Sequence, residues 1–215
     1  MDSMIKRRTW IVQIMLLVLL LSTSCIAAQQ EKQGIVIQSN INPEQTLIVY
    51  LSRTKNTKTV AEIIHKNIGG KLVALELENP YPKDYQANVD QVKKELETGF
   101  LPPLKTKIDS IEKYNVVFIG FPTWSMELPP PMKSFLKQYD LSGKTIVPFN
   151  TNAGYGTGNS FETVKKLCRD SKILKGFTTK GGKEKDGVLF VMDGEKETQV
   201  QKEVRHWLQE IKIVN

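Results

Sequence analysis

Three short apolar runs constrain this chain more than any other feature. Residues 46–52 (TLIVYLS), 115–121 (NVVFIGF) and 144–150 (KTIVPFN) each end at a polar loop that leads into a helical pattern. Runs this short and continuous, rich in β-branched and aromatic residues, suit strands buried on both faces. Behind the first run, Val60, Ala61, Ile63, Ile64 and Ile68 recur at helical spacing and stop at Gly69-Gly70. Residues 71–77 read as a second strand and about 84–96 as a polar helix, with further helices near 131–139 and 160–168. Residues 172–179 read as a fifth strand and 187–192 (GVLFVM) as another, with Gly181-Gly182 turning between them. An added hairpin is therefore expected beside the fifth strand. The last helix, about 197–213, places Val200, Val204, Trp207, Leu208 and Ile211 on one face. Strands alternating with helices predict an α/β fold, a parallel sheet with helices on both faces and right-handed crossovers.

A chain of 215 residues suits one domain with an appendage, and a domain of such size buries about 70% of its unfolded surface. With 40% hydrophobic residues and a net charge of +7, the composition excludes disordered and collagen-like chains. Two cysteines, Cys25 and Cys168, are too few for a disulfide framework, and no Cys/His cluster has zinc-ligand spacing. Nothing in the sequence points to nucleic acid.

The first residues have the layout of a secretory signal. Lys6, Arg7 and Arg8 precede an apolar run from Ile11 to Leu21, broken only by Gln13, and small residues follow. That run is short of the roughly 20 apolar residues of a membrane span. Residues 21–25 (LSTSC) resemble a bacterial lipoprotein box in which Cys25 is lipidated, although Ser22 stands where the box prefers an apolar residue. Cleavage near Ala27 or Ala28 is the rival and an uncleaved anchor the third reading. The expectation is an exported protein, periplasmic or anchored to a membrane through lipidated Cys25, with a signal segment at 1–28, a tether at 29–45 and a folded domain at 46–215. Loss of residues 1–24 leaves 27 basic and 22 acidic residues, a net +5. Such a charge suits an acidic partner or an anionic membrane surface, and because it is diffuse, a simply solvated face is the bland alternative.

In open parallel sheets ligands sit beyond the carboxyl ends of the strands. Three loops there are unusual. Ser52-Arg53-Thr54-Lys55-Asn56-Thr57 is dense in hydroxyls and runs into a helix N-terminus, where free N–H groups and the helix dipole favour an anion such as phosphate. Simple helix capping is the bland alternative. Pro122-Thr123-Trp124-Ser125-Met126 offers an indole that can cover a flat ligand or merely pack. Thr151-Asn152-Ala153-Gly154-Tyr155-Gly156 lets backbone amides approach a ligand and presents Tyr155 as a second ring.

Together these loops resemble the flavodoxin-like family, and more closely its bacterial flavodoxin-like branch. The phosphate loop of that branch, Ser-Arg-Thr-Gly-Asn-Thr, is matched by Ser52, Arg53, Thr54, Asn56 and Thr57. Its second loop is matched by Pro122 and Trp124, and its third by the residues from Thr151 to Gly156. The resemblance implies a doubly wound five-stranded sheet in the order 2-1-3-4-5 that binds flavin mononucleotide, FMN. It places the phosphate on Ser52, Thr54, Asn56 and Thr57 and the ring between the second and third loops. It implies electron transfer or reduction of a small acceptor such as a quinone, with no side chain needed as acid or base. The competing reading is an interaction module that keeps the scaffold without the flavin.

Lys55 stands where the family has glycine, and Ser125 and Met126 stand where Trp and Gly are common. These departures bear on loop geometry and flavin affinity. Gly143-Lys144-Thr145 ends like a nucleotide-binding P-loop but precedes a strand, and Gly154-Tyr155-Gly156 lacks the third glycine of a dinucleotide fingerprint. Cys168 reads as a buried structural thiol, His65 and His206 as surface or packing residues, and Tyr81 and Tyr85 as loop packing, on a loop that in a flavin protein can border the site.

Overall fold

The computed structural model describes residues 39–215; the expected signal segment, Cys25 and most of the expected tether lie outside the described residues. Eleven regular elements follow in order: β1 (Thr46–Tyr50), α1 (Asn56–Ile68), β2 (Lys71–Ala74), α2 (Tyr85–Thr98), β3 (Val116–Pro122), α3 (Pro130–Gln138), β4 (Thr145–Asn152), α4 (Ser160–Leu167), β5 (Lys172–Ile173), β6 (Phe177–Lys180) and α5 (Gly194–Glu210). Their ends carry local chemistry. The Asp84 carboxylate caps α2 by accepting from Ala87 N at 2.8 Å. Pro130 opens α3, where its missing N–H costs nothing.

All strand pairs are parallel, in the order β2-β1-β3-β4-β5, with β6 also on β4. Alternation along the buried strands divides the core in two. Leu47, Val49, Val117, Ile119 and Phe121 pack with Met132 and Phe135 of α3 and Val164 of α4. Ile48, Phe118, Val147 and Phe149 face the other way, onto Val60 and Ile64 of α1 and Val204, Trp207 and Leu208 of α5. Each large side chain fully withdrawn from water contributes about 1.5–3 kcal/mol, so both faces are strongly specified. α2 lies against α3, with Val92 buried.

The expected fifth strand is present as two pieces. β5 pairs Lys172↔Thr145 and Ile173↔Ile146, and β6 resumes with Phe177↔Phe149. Between them Leu174, Lys175 and Gly176 stand opposite only Val147 and Pro148, which is a bulge of one residue. Pro148 has no N–H for a ladder, and a bulge is where a strand tolerates it. The Trp207 indole of α5 donates to the Lys175 carbonyl at 2.8 Å and satisfies the broken edge.

The expected strand at 187–192 is not formed. Only an isolated antiparallel bridge, Lys183↔Val188, closes the 183–188 loop, which contains a short turn of 3-10 helix. Residues 189–191 pair instead with a side chain: Asn56 donates to the Leu189 carbonyl at 2.7 Å and accepts from Val191 N at 3.1 Å. That contact takes up the backbone groups a second strand would need. At the other end, Ser39 bridges to Val214 and Asn40 N donates to Ile213 O, so the described part of the expected tether is tied to the folded domain.

Candidate functional site

A cavity of about 300 Å³ opens where β1, β3, β4 and β6 end. Its size falls within the range of small-molecule pockets. The loop after β1, the loop after β3, the loop after β4, the segment after β6 and the first half of α2 form its walls. All the sequence-predicted site residues line it except Ser52, Lys55 and Gly154.

In the first loop most side chains are engaged within the protein. Ser52 Oγ accepts from Lys58 N at 3.2 Å and caps α1. Arg53 points away from the helix end, with Nε 2.8 Å from Glu184 Oε1 and its other nitrogens on the carbonyls of Pro82 and Lys83. It thereby ties the start of α2 and the 183–187 turn to the loop. Asn56, 97% buried, donates to Thr54 Oγ1 at 2.8 Å and holds residues 189–191. Thr57 shares a 2.8 Å hydrogen bond with Thr151 in the cavity lining. What remains free is backbone: the N–H groups of Thr54, Lys55, Asn56 and Thr57 have no partner among the described residues. They stand at the positive end of the α1 dipole. Lys55 is exposed and takes φ +66°, the left-handed conformation for which the family's glycine is suited.

The second loop is a tight turn. Trp124 and Glu127 exchange backbone hydrogen bonds, and Ser125 (φ +49°) and Met126 (φ +60°) between them are both left-handed, as in a type I′ turn. Ser125 and Met126 thus adopt a backbone that glycine would take with less strain. Trp124 meets Tyr81 edge-on, with ring centroids 5.3 Å apart. Tyr81 in turn donates to the buried Glu95 carboxylate, which also accepts from Gln91 at 2.8 Å. Burial, then that hydrogen bond, pushes the Tyr81 hydroxyl pKa upward. The indole is braced from behind.

Asn152 shapes the third loop by accepting from Gly154 N at 2.9 Å and Gly156 N at 3.1 Å. Fully buried Asn150 joins the loops from below, donating to the Phe121 carbonyl and Thr123 Oγ1 and accepting from Thr178 Oγ1. Thr123 then donates to the Gly156 carbonyl at 3.0 Å. Gly158 seals the second loop to the third: Asn159 N donates to the Met126 carbonyl, and a Cβ at Gly158 (φ +54°) would overlap that carbonyl. Tyr155 is 66% exposed at the rim, with Lys183 Nζ 5.6 Å from its ring centre. A hydrogen bond to Asp186, then one to Tyr155, raises the Lys183 pKa.

Sequence reasoning missed two walls. One is α2 beyond Tyr85, through Asn88, Val89 and Val92; the other is residues 181–185 after β6. The second was findable, because the rule that singled out the loops after other strands applies equally to the fifth strand and its Gly181-Gly182. Two of the features set aside sit elsewhere: Lys144 of Gly143-Lys144-Thr145 is buried and donates to the carbonyls of Tyr114 and Glu112, and Cys168 is buried with its thiol pushed up to about 11 by desolvation.

An anion cradle of unpaired N–H groups, an indole and a phenol ring at the edges, and loops of prearranged amides fit a flat ring that carries a phosphate. A family model described as flavodoxin matches residues 45–192. A flavodoxin of Synechocystis sp. is 24% identical over 127 residues, 57% of this chain and 61% of that protein, so the chain spans less than two thirds of that relative's length. Among solved structures, a Bacteroides eggerthii protein described as a flavoprotein has a TM-score of 0.63 at 29% identity, over 78% of this chain and 97% of the other. A flavoprotein of Lactobacillus acidophilus in complex with FMN has a TM-score of 0.55 at 22% identity, over 63% of this chain and 92% of its own, a likeness of fold.

Proposed function

We propose that this chain, which belongs to the flavodoxin family, is an FMN-binding flavoprotein that transfers electrons, as a carrier or by reducing a small acceptor such as a quinone. The observation that carries the reading is the row of unpaired N–H groups from Thr54 to Thr57, opening onto a cavity edged by Trp124 and Tyr155. Bound FMN supplies the redox chemistry, so the protein's task is to bind, orient and tune.

The phosphate would be held by backbone N–H groups at the start of α1, helped by the Thr54 hydroxyl, whose proton stays available while its oxygen accepts from Asn56. Ser52 and Asn56 act through the backbone, one capping the helix and the other fixing the loop. The residues that would flank the ring are Trp124, supported by Tyr81, and Tyr155 at the rim. Titration of the purified full chain tests this. Expected is tight one-to-one binding of FMN, followed by fluorescence and visible absorbance, with riboflavin weaker by at least tenfold because the charge-assisted phosphate contacts are lost. Absence of binding at high micromolar FMN would favour a flavin-free interaction module.

We further propose that the chain is exported and lipidated on Cys25, on the sequence pattern of residues 1–28. The full chain should fractionate with membranes and its Cys25→Ala variant should not. Equal solubility of the two would dismiss lipidation.

A further inference from the structure

Eight large hydrophobic side chains are well exposed among the described residues, and six of them gather around the cavity mouth. Surface hydrophobic residues scattered singly are ordinary, whereas a group collected on one rim marks an interaction site. Tyr85, Met126 and Tyr155 belong to the cavity lining. Val188, Leu189 and Phe190 follow the 183–187 turn and are 45%, 52% and 40% exposed. Their backbone is fixed beside the mouth: Val188 bridges to Lys183, and the Leu189 carbonyl accepts from Asn56 and lies against Gly182, where a Cβ would come within 2.4 Å of it. The exposure therefore belongs to an anchored segment, not to a frayed end. The rim is also basic. Glu184 and Asp186 are taken up by Arg53 and Lys183. Lys55 next to Thr54, Lys180 beside Gly154, and Lys185 in the cavity lining form no ion pair among the described residues.

We infer that this rim is a docking surface for an anionic lipid membrane: Val188, Leu189 and Phe190, with Met126 and Tyr155, enter the headgroup boundary while Lys55, Lys180 and Lys185 meet anionic headgroups. The inference goes beyond flavin binding and does not depend on it. Apolar side chains interleaved with lysines are what an interfacial lipid contact uses, the lysine stems lying along apolar surface with their ammonium groups among the headgroups. A protein partner is the poorer occupant, because protein interfaces are depleted in lysine and favour arginine. Here Arg53, the arginine of the cavity lining, is already bound to Glu184 and two backbone carbonyls. The net charge, +7 or +5 after loss of residues 1–24, supplies the matching long-range attraction. Chain length permits the pose. The 188–190 segment lies just ahead of α5, and Ser39 bridges to Val214 beyond the far end of that 17-residue helix, about 25 Å away. The stretch from Cys25 to Ser39 can span up to about 50 Å, so a lipid at Cys25 leaves the rim able to reach the same membrane.

The experiment uses the full chain carrying Cys25→Ala, which removes lipidation and leaves Cys168, buried with a raised thiol pKa, too protected to take up label. An environment-sensitive fluorophore is attached at Leu189→Cys and, in a second protein, at Lys66→Cys in the last turn of α1, at the opposite end of the sheet. Vesicles are phosphatidylcholine alone or phosphatidylcholine with phosphatidylglycerol, each with spin-labelled acyl chains as quencher. With phosphatidylglycerol the reporter at 189 should shift to the blue and be quenched, and the reporter at 66 should do neither. Without phosphatidylglycerol docking should weaken roughly tenfold or more, because each lysine near an anionic surface is worth about fivefold. Lys180→Glu together with Lys185→Glu should weaken it by a similar factor at least. The apolar run at 11–21 can hold the full chain on either vesicle, but it carries neither reporter into the bilayer, so the contrast between the two positions reads the rim. A reporter at 189 that stays in water with both vesicles overturns the inference and leaves the rim to a protein partner. A shift at 189 that needs no lipid and grows with protein concentration overturns it in favour of a second copy of this chain. Equal shifts at 189 and 66, or a shift at 189 indifferent to phosphatidylglycerol and to the charge reversals, overturn it as well.

Discussion

Three residues at the loops show how a side chain can depart from a motif while the backbone keeps its shape. Lys55, Ser125 and Met126 all take positive φ, at +66°, +49° and +60°. A left-handed non-glycine residue costs roughly 1–2 kcal/mol, and such strain persists where the surroundings over-determine it. At Lys55 the surroundings are the Ser52 cap and the buried Asn56, on either side of it. Lys55→Gly should therefore stabilise the protein by up to about 1 kcal/mol, the relief of strain being offset in part by the greater entropy of unfolded glycine. Urea unfolding measures this, and FMN affinity should change little because the side chain is exposed and off the cavity. A destabilised Lys55→Gly variant would mean that the lysine makes a stabilising contact. The same scale explains why Asn56 and Thr57 were legible as important but not in their roles: a sequence shows that Asn and Thr are present, not which groups their amide and hydroxyl will meet. Their partners, at residues 189–191 and Thr151, are far along the chain.

Between elements, the bracing of Trp124 and the closing of the edge are decided by helices distant in sequence. α2 supplies Glu95 and Gln91 to hold Tyr81 against the indole, and α4 ends beside buried Cys168. Both Tyr81 and Cys168 keep their protons more tightly in the fold than in the unfolded chain, from ordinary values of 10.0 and 9.0, Cys168 rising to about 11. Protonated groups with raised folded pKa values stabilise fully below the unfolded pKa, and that stability is lost as pH rises. Unfolding free energy should accordingly be flat up to about pH 9 and then fall, with a slope of up to about 1.4 kcal/mol per pH unit for each group. Cys168 should act between its unfolded value of 9.0 and its folded value of about 11, and Tyr81 above its unfolded 10.0. Urea midpoints across pH 8 to 11 measure the slope, and Cys168→Ala should remove the earlier part of it alone. An unchanged midpoint throughout would show that neither group is protected. The GVLFVM segment, which forms no strand beyond the Lys183↔Val188 bridge, belongs to this scale too. Its composition suits a strand, yet Asn56 occupies the backbone groups that pairing requires, while Val188, Leu189 and Phe190 stay exposed.

For the whole molecule, the sequence determined the order of elements and the site's general location. Apolar runs of strand length separated by helical periods specify a parallel sheet covered on both faces, because each strand must bury two faces and each crossover must return over the sheet. That logic is local and periodic, which is why the loops after β1, β3 and β4 could be singled out with Ser52 to Thr57, Trp124 and Tyr155 in them. Tertiary structure alone decided what periodicity does not encode. It brought α2 and the turn after β6 to the same cavity and spent Ser52, Arg53 and Asn56 on the scaffold. It split the fifth strand opposite Pro148, and it left Asn88 Nδ2 without a partner among the described residues. Each of these outcomes is a meeting of groups remote in sequence, fixed by packing and by the need of buried polar atoms for partners.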